Sequence, residues 1–471
     1  KRQQHTQVAL TIETAGCLAT EIMILPVLSL QFDGSCRIRC KLCSLYRLLL
    51  VLLLCIGFVH PEAKAEEDAV EFPDLLDADD IAYFFSQGDI DGLHWALSNV
   101  FAASERNPDP SQVKHRLPQQ LVSRGGGSTY TTEYKLKMDI QQAEYLATHL
   151  AEEDRDPKWA KFFQDAVLPI YQKVLSNVPP VDQLERTHGL YAFREADLEL
   201  GIGNIYNKAW HHTNFEELKD PTTGKVLPLL NPEMDTNNIE REWFGEDNNP
   251  DHHPGILYID DVLSKEALGR IRQLLLESTV WYQTKMPLRF GGYVGAYIDD
   301  GLHDRLLLQL SMELHKALPR IMKGHPLKYL WAYKYDSEYT GINLHADEAA
   351  VNVNIWLTPD EANLDPTSGG LVVFTAKPPE DWNFAEYNTD TDRVVEELLR
   401  PTNFANVTIP HKQNRAVIFD SSLFHQTDRY KFKPGYENRR INLTILYGDM
   451  QRSSSHTTDI PPGSQDVKTE L

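Results

Sequence analysis

The sequence predicts an α+β chain: a mainly α-helical first half, then a C-terminal β sandwich or barrel with its own supporting helices. Three observations predict it. Apolar residues recur at helical spacing between Met138 and Val174. A stretch rich in Pro, Asn, Asp and Gly, from Pro221 to Pro254, marks a boundary. After Lys328, short alternating runs separated by turns continue to Gly448.

The chain of 471 residues is long enough for about two or three domains. The formal net charge of −22 repels phosphate backbones and excludes nucleic acid as a partner. All five cysteines precede residue 56, so the main body has no disulfide in any compartment. Cys36, Cys40 and Cys43 have the spacing of an iron–sulfur loop, but they lie in the basic flank of a leader.

That leader spans residues 1–65. The run Leu48 to Val59 is a nearly pure apolar run of 12 residues preceded by Arg37, Arg39, Lys41 and Arg47. Ala63-Lys64-Ala65 follows as a small-x-small exit. The pattern is a secretory signal peptide cut after Ala65. Such a run rises about 18 Å as helix, short of a bilayer core of about 30 Å. Membrane contact is expected only if the leader stays uncleaved as a type II anchor. The chain ends Lys468-Thr469-Glu470-Leu471, close to the lumenal retrieval signal of the endoplasmic reticulum. Residence in that lumen is the expectation, with secretion or anchoring as alternatives.

Residues 66–128 read as an acidic helical segment and a linker. Asp77 to Asp80 can cap a helix through Ile81, Phe84 and Phe85, and Asp91 can start another through Leu93 and Leu97. Arg106 to Gly127, with its Pro residues and Gly125-Gly126-Gly127, reads as the linker. Residues 129–253 read as a helical domain and a second linker. Two helices run from Met138 to Leu150 and from Trp159 to Val174. His211-His212 reads as a solvated loop, because no carboxylate or third His stands at ligand spacing, and His252-His253 as a polar loop by composition.

Residues 254–450 form the last domain, and 451–471 a flexible tail. Gly255 to Ile259 reads as a strand. Asp260 or Ser264 caps a helix through Leu275, and a second helix covers Leu302 to Leu318. The β pattern that follows is interrupted at Lys377 to Asn406 by an insertion with a short acidic helix near Val394 to Leu399.

The chemistry lies in this domain. Alternate residues of a strand face one way. His345 and Asp347 therefore leave one face and can reach one ion with the distant His425. Val351, Val353, Ile355 and Leu357 alternate with Asn352, Asn354 and Trp356, giving an apolar face for helices and a polar face for a pocket. Ile441, Leu443, Ile445 and Tyr447 likewise alternate with Arg440, Asn442, Thr444 and Leu446. This parity sends Arg440 into the pocket and Arg439 elsewhere. Two His and one carboxylate leave open positions that suit non-heme Fe(II) with a 2-oxo acid and O2. Arg supplies a bidentate fork for the distal carboxylate of 2-oxoglutarate.

From Gly255 to Gly448 the chain resembles the Fe(II)/2-oxoglutarate-dependent dioxygenases, in particular the prolyl-hydroxylase-like branch. The resemblance implies a double-stranded β-helix (jelly roll) core preceded by helices. It assigns His345, Asp347 and His425 to the catalytic metal triad and Arg440 to the co-substrate carboxylate. Tyr335 matches a Tyr that touches 2-oxoglutarate, and Ser368-Gly369-Gly370-Leu371 matches a turn into a core strand. Asn354 and Thr444 join the co-substrate pocket by parity. The implied cofactors are Fe(II), 2-oxoglutarate and O2, with ascorbate in support. The implied reaction converts 2-oxoglutarate to succinate and CO2 and hydroxylates a C–H bond.

Two departures from the branch stand out, and both are expected to shape substrate choice. The interval from His425 to Arg440 is long, so Asp428 to Asn438 is expected as a loop at the mouth. The other departure is the Lys377 to Asn406 insertion. A peptidyl, prolyl-type substrate in the secretory pathway is the leading expectation, with a small molecule in the same class. A non-catalytic β-helix scaffold is the alternative from another class, and the intact triad with its Arg argues against it. A cupin-type isomerase relies on more His ligands and no Arg clamp. The sequence sets no oligomeric state.

Overall fold

The computed structural model describes residues 76–450 apart from 153, 154, 214, 221 and 380. The expected leader, residues 1–65, and the expected tail, 451–471, lie outside the described residues.

Helices come first. Asp77 caps α1 (Ala78–Ser86), and Asp89 caps α2 (Ile90–Ala102) by accepting from the Gly92 amide. The second cap stands two residues before the expected Asp91, which instead occupies the first turn, where free N–H groups favour a carboxylate. Strand β1 (Tyr130–Thr131) precedes α3 (Glu133–His149), whose cap is Thr132. Helix α4 (Pro157–Phe162) passes through a π turn at Phe163–Val167 into α5 (Leu168–Leu175), and β2 (Tyr191–Ala192) returns to pair with β1. Leu136, Leu146, Phe163, Val167 and Val174 give these helices an apolar core of their own.

The second half carries two antiparallel sheets. The strands are β3 (Ile256–Ile259), β4 (Gln283–Thr284), β5 (Tyr293–Tyr297), β6 (Leu327–Tyr335) and β7 (Val351–Trp356). Then come β8 (Leu371–Phe374), β9 (Asn406–Ile409), β10 (Ala416–Asp420), β11 (His425–Thr427) and β12 (Ile441–Tyr447). The large sheet has seven strands in the order β3-β10-β7-β12-β6-β5-β4, and the small one three in the order β11-β8-β9.

Strand parity decides what each face meets. Val353, Ile355, Ile418, Leu443 and Ile445 leave the large sheet on one side. They pack on α6 (Lys265–Glu277) and α7 (Arg305–Ala317) through Ile271, Leu274, Leu307 and Leu310, and Ile81 and Phe85 of α1 join this core. The opposite face meets the small sheet in a second core of Trp356, Leu371, Val373, Val417 and Phe419. The layers are therefore helices, large sheet, small sheet. Ser264, not Asp260, caps α6. Asp260 pairs with Arg415 and Lys412 instead.

The stretch expected as the first linker is pinned down. Arg106 is buried and grips Asp300 with two bonds, 2.8 Å from Nε and 2.7 Å from Nη2. Gly125 adopts φ +99°, and a Cβ there would stand 2.0 Å from the Thr284 carbonyl oxygen of edge strand β4. Its lack of a side chain serves close approach, not flexibility. The His211-His212 segment is likewise packed: His211 Nδ1 meets the Glu277 carbonyl at 3.1 Å, and His212 Nε2 the Gly301 carbonyl at 2.9 Å. His252 does lie in an exposed loop, where Asp247 is its partner. All described residues fall in one unit, Glu71–Leu471. Among them no helix is long and apolar enough to cross a membrane.

Candidate functional site

The interior between the sheets holds a polar row on β7 and β12. Asn352, Asn354 and Trp356 point inward from β7, facing Leu446, Thr444 and Asn442 of β12 in register. Asn354 Nδ2 donates to Thr444 Oγ1 at 3.0 Å, and Asn442 Nδ2 donates to the same oxygen at 3.1 Å. The row is buried throughout.

At one end stand His345, Asp347 and His425, whose candidate ligand atoms all lie within 4.8 Å of one another. His345 and His425 exchange backbone bonds of 3.0 and 2.8 Å, which brings the two motifs side by side. Each imidazole places Nδ1 on the carbonyl two residues before it, Asn343 at 2.8 Å and Leu423 at 3.0 Å. A carbonyl only accepts, so each Nδ1 carries a proton, and Nε2 is the atom whose lone pair the neutral ring can offer a metal. Both Nε2 atoms face Asp347, at 3.5 Å from Oδ1 and Oδ2 respectively. Asn352 Nδ2 donates to Asp347 Oδ2 at 2.7 Å and fixes the carboxylate.

The electrostatics follow from this packing. Burial opposes the charge on Asp347, yet the two imidazoles hold its carboxyl well below the usual range. Burial would lower His345, but the Asp347 carboxylate outweighs it and lifts the imidazole above its ordinary value. Burial and the neighbouring His345 lower His425.

At the other end lies Arg440. Its Nε donates to the Gly369 carbonyl at 2.8 Å and its Nη2 to the Gly370 carbonyl at 3.2 Å. A Cβ on Gly370 would meet the Ile409 carbonyl oxygen at 2.0 Å and the Trp356 ring at 2.6 Å, so only glycine lets the chain entering β8 pass this close to β9 and to Trp356. The guanidinium carbon lies 4.5 Å from the Tyr335 ring centre, so Tyr335 meets the cation with its face. Arg439 leaves the other way, to Asp336 at 3.1 Å and Gln141 at 2.7 Å.

All seven residues expected at the site line this one interior, with the triad and Arg440 at opposite ends. Asn352 and Trp356 line it too, on the pocket face that parity assigns them with Asn354. Sequence reasoning missed one further neighbour. His411 stacks 5.6 Å from Trp356 with an interplanar angle of 17°, and it comes from a stretch without period. The long loop after His425 docks at the Arg440 end. Its Arg429, Lys431 and Lys433 backbone groups pair with Gly369, Leu364 and Ala362. Tyr430 and Phe432 pack at 5.7 Å on Tyr335 and 5.1 Å on His411. The loop therefore seals the Arg440 end, because its backbone groups pair there and not near the triad.

The donor set of two neutral imidazoles and a carboxylate fits Fe(II). Several buried polar atoms between the sheets lack a protein partner: Asn352 Oδ1, Asn354 Oδ1, Trp356 Nε1 and both ring nitrogens of His411. Buried polar atoms need partners. Trp356 Nε1 and one ring N–H of His411 are donors that a carboxylate beside Arg440 can accept from, whereas the two Asn oxygens need a donor such as water. The residues present thus fit a metal at one end and a dicarboxylate along the row.

No family model matches the chain, and no curated protein matches it. Solved structures do. The non-heme alpha ketoglutarate dependent epimerase SnoN of nogalamycin biosynthesis is 14% identical, with a TM-score of 0.33 over 50% of this chain and 94% of that one. HygX from Streptomyces hygroscopicus, solved with nickel and 2-oxoglutarate, is 15% identical, with a TM-score of 0.30 over 41% and 83%. A Pseudomonas putida prolyl-4-hydroxylase is 14% identical, with a TM-score of 0.26 over 41% and 92%.

Proposed function

We propose that the chain is an Fe(II)- and 2-oxoglutarate-dependent dioxygenase that hydroxylates a C–H bond, of prolyl type, in a peptide of the secretory pathway. One observation carries the reading. Two imidazoles with free Nε2 atoms and a carboxylate converge at one end of a buried polar row that ends on Arg440.

Each residue has a task in it. His345, Asp347 and His425 hold the metal, and Asn352 keeps the carboxylate oriented. Arg440 neutralises the distal carboxylate of the co-substrate, and Asn354, Thr444 and His411 offer hydrogen bonds along its length. Tyr335, Trp356 and Tyr430 keep water from the guanidinium. The bound iron, with 2-oxoglutarate and O2, supplies the oxidising chemistry that yields succinate, CO2 and a hydroxylated product.

The substrate class draws support from the aromatic residues that β5 and β6 contribute. Tyr293, Tyr297, Trp331 and Tyr333 form one aromatic cluster with Tyr335 and Leu446. Aromatic faces suit a rigid, uncharged ring, as they do in grooves that bind proline-rich peptides. The compartment rests on the apolar run Leu48 to Val59 and its basic flank.

The test is succinate release with Fe(II), ascorbate and 2-oxoglutarate across a panel of prolyl peptides and small molecules. Substrate-driven succinate supports the reading. An absence of both turnover and 2-oxoglutarate binding sinks it. For the compartment, Asn406 is an exposed acceptor in Asn406-Val407-Thr408, whereas Asn442 of Asn442-Leu443-Thr444 is buried. A glycan on Asn406 of the cell-made protein supports passage through the lumen.

A further inference from the structure

We propose that Asn388, in the inserted segment, is a positioning residue that fixes the metal-ligand loop; the inference rests on the metal reading above. His345 exchanges both backbone bonds with His425, and the Asp347 N–H donates to the Ser421 carbonyl at 3.1 Å. In an extended chain successive residues turn their N–H and C=O groups to opposite sides. Ala346, between the two ligands, therefore turns its own groups away from that pairing. There its partner is not a strand but one side chain. The Ala346 N–H donates to Asn388 Oδ1 at 2.9 Å, and Asn388 Nδ2 donates to the Ala346 carbonyl at 3.0 Å. Ala346 is 0% exposed, so water does not stand in for that amide.

Asn388 sits on α8 (Phe384–Thr389), a helix capped by Asn383. Its neighbour Tyr387 stands edge-on to Phe424, with ring centres 5.6 Å apart. Phe424 immediately precedes His425. Leu344, Ala346 and Phe424 share an apolar cluster with Trp382, Phe384, Tyr387 and Leu399 of the insertion. One inserted helix thus holds both segments that bear the ligands. The Ala346 peptide unit sets the angle between the His345 and Asp347 side chains, and the Asn388 amide prevents that unit from rotating. The insertion then acts as a brace for the metal loop.

The test uses the full chain, titrated with Co(II), in wild type, Asn388→Ala and Glu396→Ala. Glu396 is an exposed residue of the same insertion, paired with Arg400. Loss of an outer-shell partner raises the metal Kd by about 10- to 100-fold, and this is expected for Asn388→Ala with altered Co(II) absorption bands. Glu396→Ala should keep the wild-type Kd and spectrum. In the metal-free protein the Ala346 amide should exchange with deuterium faster in Asn388→Ala than in Glu396→Ala. A wild-type Kd and spectrum in Asn388→Ala, or an unchanged Ala346 exchange rate, overturns the proposal. Should Asn388→Ala not fold, Asn388→Asp keeps the acceptor and loses the donor, and a raised Kd supports while an unchanged one overturns. If the wild-type chain binds no Co(II), the metal reading has failed, and Ala346 exchange without metal still decides the brace.

Discussion

Arg440 shows how much one side chain can carry. It is 2% exposed and already spends two donors on glycine carbonyls. Replacing it with Lys keeps the charge and loses the fork. A lost charged hydrogen bond costs about 1.5–3 kcal/mol, so 2-oxoglutarate should bind roughly 10- to 150-fold more weakly to Arg440→Lys by calorimetry. His411 gives a pH signature. Burial, then the charges of Arg440 and Arg415, lower its pKa to about 3. An unfolded His binds its proton near about pH 6.5. Between these values the unfolded chain holds more protons, so stability falls as pH falls, by up to about 1.4 kcal/mol per pH unit. Urea unfolding of the metal-free protein should show this slope between about pH 4 and 6.5, and His411→Phe should flatten it. Strand parity made Arg440 distinguishable from Arg439 in the sequence. His411 and Asn388 come from stretches with no period, where only tertiary contacts fix the side chain, so nothing in the sequence marked them.

Strand β12 separates stability from chemistry by parity. Ile445 faces the helices and is 0% exposed, while Thr444 faces the polar row. Ile445→Ala leaves a cavity and should lower unfolding stability by about 2–5 kcal/mol in urea. Its Co(II) affinity should remain that of the wild type, since the residue points away from the triad. The two large helices of the C-terminal half were legible from helical spacing. Their caps were less so: Ser264 and Asp260 are equally good cap residues in sequence. The choice falls to Ser264 because Asp260 is drawn to Arg415 and Lys412. The loop after His425 and the insertion were visible as irregular segments, but where each would dock was not. A loop's destination depends on partners distant in sequence, such as Gly369 for the first and Ala346 for the second.

Across the molecule, Arg106 and Asp300 tie the early helical region to the sheets. Both side chains are 1% exposed, and Gln283 Nε2 adds a third bond to Asp300 at 2.7 Å. Arg106→Ala would leave Asp300 charged, buried and short of a partner. Breaking such a pair costs about 3–5 kcal/mol, measurable as a lowered urea midpoint. Replacing both by apolar residues of similar size should recover much of it. Composition and Pro-Gly content made this stretch read as a tether, because one buried Arg does not alter a local average. The glycine turn beside it has a consequence of another kind. Strand β4 ends the seven-stranded ladder, and Gly125 lies so close against Thr284 that nothing larger than hydrogen fits between them. An uncovered edge is a template on which a second chain can pair. The turn is therefore a guard against fibrous self-association. A chain shortened to begin after Gly127 would bare this edge together with the core that Ile81 and Phe85 cover, and should scatter more light on standing than the intact protein.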